Sequence, residues 1–151
     1  MGEAKGDLWV FAYGSLMWQP GFPFAQSCPA LLKGYHRDFC IASLHYRGTR
    51  RYPGLVLGLD RGGTCRGIAY RIEDHDRESV LAYLRKRELI YGVYREALLP
   101  VALDHPARTP VLAVTYVAER RHPSYRGRLG LQAEASIMRR AKGGAGTNLD
   151  Y

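Results

Sequence analysis

Residues 8–18 read LWVFAYGSLMW, and the reading of this stretch decides the fold. Residues 8–13 form a short apolar run rich in aromatic and branched side chains, which predicts a buried strand. Gly14 and Ser15 then break the run before Leu16, Met17 and Trp18 resume it. Such a break marks either an ordinary turn or a place where bare backbone meets a ligand. A strand that ends in glycine and opens into a loop presents unpaired amide N–H groups, and such a nest suits a carboxylate or an oxyanion.

Outward from that strand, residues 19–29 contain Pro20, Pro23, Pro29 and Gly21 among aromatics. This composition predicts an ordered loop without regular structure, packed by Trp18, Phe22 and Phe24. Residues 31–44 read as a strand, and 54–60 and 65–72 as two more, joined by a hairpin at Arg61-Gly62-Gly63. The period then turns helical over 74–89, with Asp74 or Asp76 as N-cap and Gly92 just beyond the end. Residues 94–103 and 111–118 predict a further strand pair. A second helix runs from Gly130 or Leu131 to Ala141 and enters Gly143-Gly144-Ala145-Gly146. That glycine run follows a helix rather than a strand and is no dinucleotide fingerprint. About six strands and two main helices, with strands dominating the first half, predict an α+β domain. Its mixed sheet is strongly curved or closed, barrel-like rather than doubly wound, with helices at its flanks. No repeat or linker divides residues 1–151, so one domain is expected.

At 151 residues, with 46% apolar and 24% charged side chains, the chain has the composition of one globular domain. Cys28, Cys40 and Cys65 lie far apart, with no C-x-x-C pair and no histidine at zinc-ligand spacing. Neither a metal site nor a disulfide framework is expected, and a reducing compartment fits. The apolar run 8–16 is too short for a secretory or membrane segment, and the opening MGEAKG lacks the hydroxyl residue of a myristoylation signal. The protein is read as cytoplasmic, with no membrane partner. The net charge of +8 is spread over separate clusters interleaved with Asp and Glu, and no basic tail or aromatic RNA-binding signature accompanies it, so nucleic acid is not expected.

One helical residue is out of keeping with its surroundings. Leu81, Leu84 and Glu88 recur at i, i+3 and i+7, so Glu88 shares the face of two core-directed leucines. Partial burial and the negative end of the helix dipole both push its pKa toward the range of a general acid or base. The alternative reading is a glutamate paired with Arg85 or Arg87 at the rim of the core.

These two features belong to a series of ordered blocks. They are Tyr13-Gly14-Ser15-Leu16 with Met17-Trp18-x-Pro20-x-Phe22; Gly34-Tyr35-x-Arg37-x-Phe39-Cys40; and Arg47-Gly48-Thr49 with Pro53-Gly54-Leu55-Val56-Leu57. Gly67-x-Ala69-Tyr70, Lys86-Arg87-Glu88-x-x-x-Gly92-x-Tyr94, His122-Pro123-x-Tyr125 and Gly146-Thr147-Asn148 follow. Together they resemble the ChaC family, the glutathione-specific gamma-glutamylcyclotransferases, over nearly the whole chain. The resemblance implies a gamma-glutamylcyclotransferase-like fold and cleavage of glutathione to 5-oxoproline and cysteinylglycine, with no cofactor and no metal. It implies Glu88 as the catalytic acid and base, and Tyr13, Gly14, Ser15 and Leu16 as the loop whose amides hold the gamma-glutamyl group. For Tyr125 two readings stand, orientation of substrate or a loop anchor; for Arg37, a partner for a substrate carboxylate or a salt-bridged edge residue. Asn148 is expected to tie down the loop after the second helix, and Pro53-Gly54 to shape a loop near the site. Trp18, Pro20 and Phe22 are expected to fix the first loop, and Cys40 to be an inert core thiol. The family pattern also implies a leucine-rich helix after Tyr151. Alternatives are the same chemistry on other gamma-glutamyl peptides or amines, and a non-catalytic binder of anions or RNA on this fold.

Overall fold

The computed structural model describes residues 7–44, 47–105, 109–127, 131–143 and 146–148; the expectations placed on residues 1–6, Gly130, Gly144, Ala145 and Tyr151 lie outside them. Strand β1 (Leu8–Ala12) shows why the first run lacks polar alternation. Side chains alternate across a strand, and here both faces are covered. Phe11 and the following Tyr13 pack with Leu32, Leu59, Val101 and Val117 inside a barrel. Leu8, Val10 and Ala12 pack with Val80, Leu84 and Tyr116 in a second core beneath a helix.

The barrel consists of β1, β2 (Gln26–Ser43), β3 (Gly54–Ile72), β4 (Tyr94–Leu103) and β5 (Pro110–Ala118), in the closed order β1-β3-β2-β4-β5. Parallel pairing of Trp9 with Ala113 and Val10 with Val114 closes it, and the other pairs are antiparallel. Closure leaves the barrel no open edge.

The hairpin expected at Arg61-Gly62-Gly63 is instead a bulge inside one long strand. β2 and β3 pair from Gln26 with Arg71 to Ser43 with Gly54, and the register slips between Lys33 and Tyr35. There Gly34 faces Gly62 and Gly63, with φ of +95°, +100° and +71°. Turn and bulge make the same demand for left-handed backbone, which glycine meets without strain. What separates them is whether the flanking residues continue on the same neighbour, as they do here. The two strands expected over 54–72 are therefore one, and five strands form the barrel. A two-residue pair, β6 (Lys142–Gly143) and β7 (Gly146–Thr147), stands apart.

The proline-rich loop ends earlier than expected, because β2 begins at Gln26. Its hold is Phe22, buried and edge-on to the Tyr70 ring with the ring centres 5.5 Å apart, and Phe24, whose ring centre lies 4.7 Å from that of Tyr70. Trp18, expected to pack there, is exposed.

Helix α1 (Arg77–Glu88) follows a 3-10 turn at Asp74–Asp76. Asp76 is its N-cap, without a side-chain cap bond, and the Ser79 hydroxyl donates to the Asp76 carbonyl at 3.0 Å. Val80 and Leu84 are buried against β1, and the same four-residue step brings Glu88 to that face in the last turn. Gly92, with φ of +70°, turns the chain toward β4. Helix α2 (Leu131–Arg140) lies late in the chain. No helix among the described residues is long and apolar enough to cross a membrane.

Candidate active site

The backbone leaves β1 through Tyr13 and Gly14 into a 3-10 turn over Ser15–Met17. The Met17 amide donates to the Gly14 carbonyl (2.9 Å) and the Gln19 amide to the Ser15 carbonyl (2.8 Å). The amides of Ser15 and Leu16 stand first in the turn and, among the described residues, donate to no backbone carbonyl, as the opening N–H groups of any helical turn do not. The turn is fixed from below. The Tyr70 hydroxyl lies 3.0 Å from the carbonyls of Leu16 and Met17, and the Tyr13 hydroxyl donates to the Tyr116 carbonyl at 2.7 Å.

A cavity of about 420 Å³ opens beside this turn, bordered by Ser15, Gln19, Arg47, Glu88, Tyr94 and His122 among others. A narrower recess of about 30 Å³, lined by Tyr13, Gly14, Leu16, Leu57 and Tyr116, continues it into the protein. Ser15, Glu88 and Tyr94 border both spaces. The Glu88 carboxyl thus stands at the junction, close to the end of β1.

Glu88 is partly buried: one side faces the cavity while protein atoms crowd the rest. Burial pushes its carboxyl above the ordinary glutamate value, although the neighbouring Arg87 guanidinium pulls the other way. Neither arginine considered as its partner forms an ion pair with it. Arg85 forks onto Glu96 at 3.0 and 3.1 Å. Arg87 donates to the Ser15 hydroxyl (3.1 Å), the Gln19 carbonyl (2.9 Å) and the Tyr83 hydroxyl (2.9 Å), so it staples the turn after β1 to the last turn of α1. The Tyr116 hydroxyl, also near Glu88, donates its proton to Glu96 instead, at 2.9 Å. Burial and that hydrogen bond hold Tyr116 protonated well beyond the ordinary tyrosine range, with the Glu88 charge adding to both. The Glu88 carboxyl group borders the cavity without an ion pair to any of these neighbours, an arrangement that can accept a hydrogen bond.

A model of ChaC-like proteins matches residues 8–151. The chain belongs to the ChaC-like family. Among curated ChaC-like relatives, the glutathione-specific gamma-glutamylcyclotransferase of Escherichia coli (strain K12) is 40% identical over 147 residues, covering 97% of this chain and 63% of that protein. The human glutathione-specific gamma-glutamylcyclotransferase 1 is 33% identical over 146 residues, covering 95% of this chain and 66% of that one. The chain therefore spans somewhat under two thirds of the length of either relative. The fold matches a solved yeast gamma-glutamyl cyclotransferase specific to glutathione with a TM-score of 0.87 at 20% identity, covering 95% of this chain and 82% of that one.

This ChaC-like chain brings Tyr13, Gly14, Ser15 and Leu16 together with Glu88, but neither Arg37 nor Tyr125 borders the two spaces. Arg37 donates from Nε to the Tyr13 carbonyl at 2.6 Å and from its terminal nitrogen to the Arg66 carbonyl, so it braces the end of β1 from outside. Tyr125 donates to Asp60 at 2.6 Å, and Arg120 donates to the same carboxylate at 2.7 Å. Burial alone would raise Asp60, but these bonds and the Arg61 amide outweigh it and hold the carboxyl below its ordinary value. Asn148 is buried and exchanges two 2.7 Å hydrogen bonds with the backbone of Leu55, so it ties the chain after α2 to the start of β3. Cys28, Cys40 and Cys65 are free and buried. Burial, with Asp60 and Asp38 nearby, pushes the Cys40 thiol up to about 12, which suits a core residue and not a nucleophile. Among the described residues no cluster of three His, Cys, Asp or Glu is placed to hold a metal ion.

Arg47, Tyr94, Tyr116 and His122 were not singled out from the sequence as site residues. Three of them stand in the ordered blocks, which was the signal available. Tyr116 carries no such signal: it sits inside the apolar run of β5, and only packing against α1 brings its hydroxyl near Glu88.

Proposed function

We propose that the protein is a gamma-glutamylcyclotransferase that cleaves glutathione to 5-oxoproline and cysteinylglycine, with Glu88 relaying the proton. The observation that carries this reading is the Glu88 carboxylate at the junction of a substrate-sized cavity and a narrow recess, beside the opening amides of the Ser15–Met17 turn. Relatives in the ChaC-like family bearing that activity in their names support it.

The chemistry needs no nucleophile from the protein. The substrate's own α-amine attacks its γ-carbonyl carbon, so the enzyme's work is to hold the ring-closing conformer. Glu88 takes a proton from the α-ammonium, and the freed amine attacks. The carbonyl oxygen becomes an oxyanion, for which the amides of Ser15 and Leu16 are suitable donors. As the C–N bond to cysteine breaks, the protonated Glu88 returns its proton to the departing nitrogen, and the ring nitrogen gives up its second proton through the same carboxylate to the freed amine, so that two protons pass from the attacking nitrogen to the leaving one. Atoms and charge balance without water or cofactor. Gly14 keeps the strand end free of a side chain where the substrate approaches. A cytoplasmic setting is part of this reading, since three free thiols persist where thiols stay reduced.

The test is incubation of the purified protein with reduced glutathione while 5-oxoproline and cysteinylglycine are followed. Equimolar formation of both is expected. Cyclisation of other gamma-glutamyl compounds but not of glutathione would overturn the substrate assignment, and no cyclisation of any would overturn the activity.

A further inference from the structure

The recess beside Glu88 holds only part of a substrate, at about 30 Å³ against about 420 Å³ for the cavity it joins. With the gamma-glutamyl group at the junction, whatever follows the scissile amide lies in the larger space. Part of that space has an apolar wall. Ile41 of β2 pairs in register with Val56 of β3, which sets both side chains on one face of the sheet. Val56 and Val93 pack against the buried cluster of Cys40, Ile41 and Ala118, and all of Ile41, Val56 and Val93 border the cavity. Backbone bonds hold this wall in place: the Ala42 amide donates to the Ser124 carbonyl at 2.7 Å, and the Glu119 amide to the Val93 carbonyl at 2.8 Å. Ile90 joins the same border from the turn after α1, which the Gly92 amide closes onto the Leu89 carbonyl at 3.1 Å. At 58% exposed, Ile90 has apolar surface still to lose to a ligand.

The cavity also has polar members, Arg47 and His122 among them, but no side chain of this wall can donate or accept a hydrogen bond. In the leaving cysteinylglycine, the one branch that suits such a wall is the cysteine side chain. A thiol behaves as a small hydrophobe, whereas the glycine carboxylate must keep its charge in water or on a donor. We propose that Ile41, Val56, Ile90 and Val93 form a subsite for the side chain of the residue after the scissile amide, and that the enzyme thereby takes S-alkyl thioethers of glutathione as substrates. This deepens the proposed function and rests on it. An alkyl group on sulfur extends along the wall, and a cavity of about 420 Å³ lies within the range of sites that enclose drug-sized ligands. The bonds made and broken do not change. The α-amine closes the ring on the γ-carbonyl carbon, and S-alkyl cysteinylglycine leaves in place of cysteinylglycine. The sulfur takes no part in the reaction, so capping it removes no step.

The experiment follows 5-oxoproline release from glutathione and from its S-methyl, S-propyl and S-hexyl thioethers, by the wild type and by Ile90→Ser. In the wild type, KM is expected to fall stepwise with chain length, to about a tenth of the glutathione value for the S-hexyl compound, since each methylene taken out of water adds to binding. Binding of this kind is shared by ground state and transition state, so kcat should stay within about threefold. Ile90→Ser, at an exposed position outside the helix, is expected to shrink the S-hexyl advantage about threefold. The wild-type series needs no folded variant. A KM that is flat or rises with chain length, no turnover of S-hexyl glutathione, or the full advantage retained in Ile90→Ser would overturn the subsite, while turnover of glutathione itself leaves the cyclotransferase reading intact. If no gamma-glutamyl compound is cyclised at all, that reading fails first and the subsite with it.

Discussion

Glu88 owes its chemistry to position. Burial pushes its carboxyl above the ordinary value against the pull of Arg87, and its place in the last turn of a helix is one where the dipole disfavours a negative charge. Glu88→Gln is expected to keep the fold and lower turnover by about 10²- to 10⁴-fold, because an amide cannot relay a proton. The same substitution tests the raised pKa through stability. A carboxyl whose folded pKa lies above the unfolded one is favoured by folding while protonated, and that contribution is lost as pH rises from the ordinary value of 4.5 through the folded pKa. Thermal unfolding should therefore show Glu88→Gln matching the wild type at acid pH and exceeding it at neutral pH. In kcat/KM against pH, the limb that requires ionised Glu88 should lie above the ordinary glutamate value.

At the level of strands and helices, two joints carry the site. The first is the staple from α1 to the turn after β1. Arg87→Lys keeps the charge near Glu88 but cannot span the Ser15 hydroxyl, the Gln19 carbonyl and the Tyr83 hydroxyl together. A drop of about tenfold in kcat/KM is expected, equivalent to one hydrogen bond of ordinary strength, with the helix content by circular dichroism unchanged. The second joint is the pairing of β1 with β3. A Cβ at Gly67 would stand 2.2 Å from the Ala12 carbonyl oxygen and 2.7 Å from the Phe11 ring. Backbone cannot yield there as a flexible side chain would. Gly67→Ala is expected to cost about 3 kcal/mol in denaturant unfolding, the upper range for overpacking a core, and to disturb the strand end on which Ser15 stands.

Across the barrel, the segment that carries His122 and Ser124 is held by one buried carboxylate. Asp60 sits in the middle of β3 and accepts from Tyr125, 65 positions away in the chain. Tyr125→Phe removes that donor and is expected to cost about 1–3 kcal/mol at pH 7, since the Asp60 charge is left under-paired. Asp60 has a folded pKa below the unfolded one, so its stabilisation is present above the ordinary value of 3.8 and is lost as pH falls through the folded pKa. The gap between wild type and Tyr125→Phe in thermal unfolding should therefore narrow on acidification.

Much of this was legible along the chain. The buried first strand, the helix ending at Glu88, the β4–β5 pair and the break at Gly14-Ser15 follow from local period and from glycine's backbone freedom, and such signals act over a few residues. The ordered blocks pointed to the family. Closure decided the rest. Gly62-Gly63 reads as a turn or a bulge until the partner strand is known, because both need the same left-handed backbone. Arg37 is a brace because the Tyr13 carbonyl, 24 positions away, lies within its reach. Tyr125 is an anchor because Asp60 faces it. Sequence determined most of the strand and helix segments and singled out Glu88 and the Gly14-Ser15 break as candidates. Only the tertiary structure decided which of them share a cavity, since that depends on contacts between residues far apart in the chain, which no local pattern records.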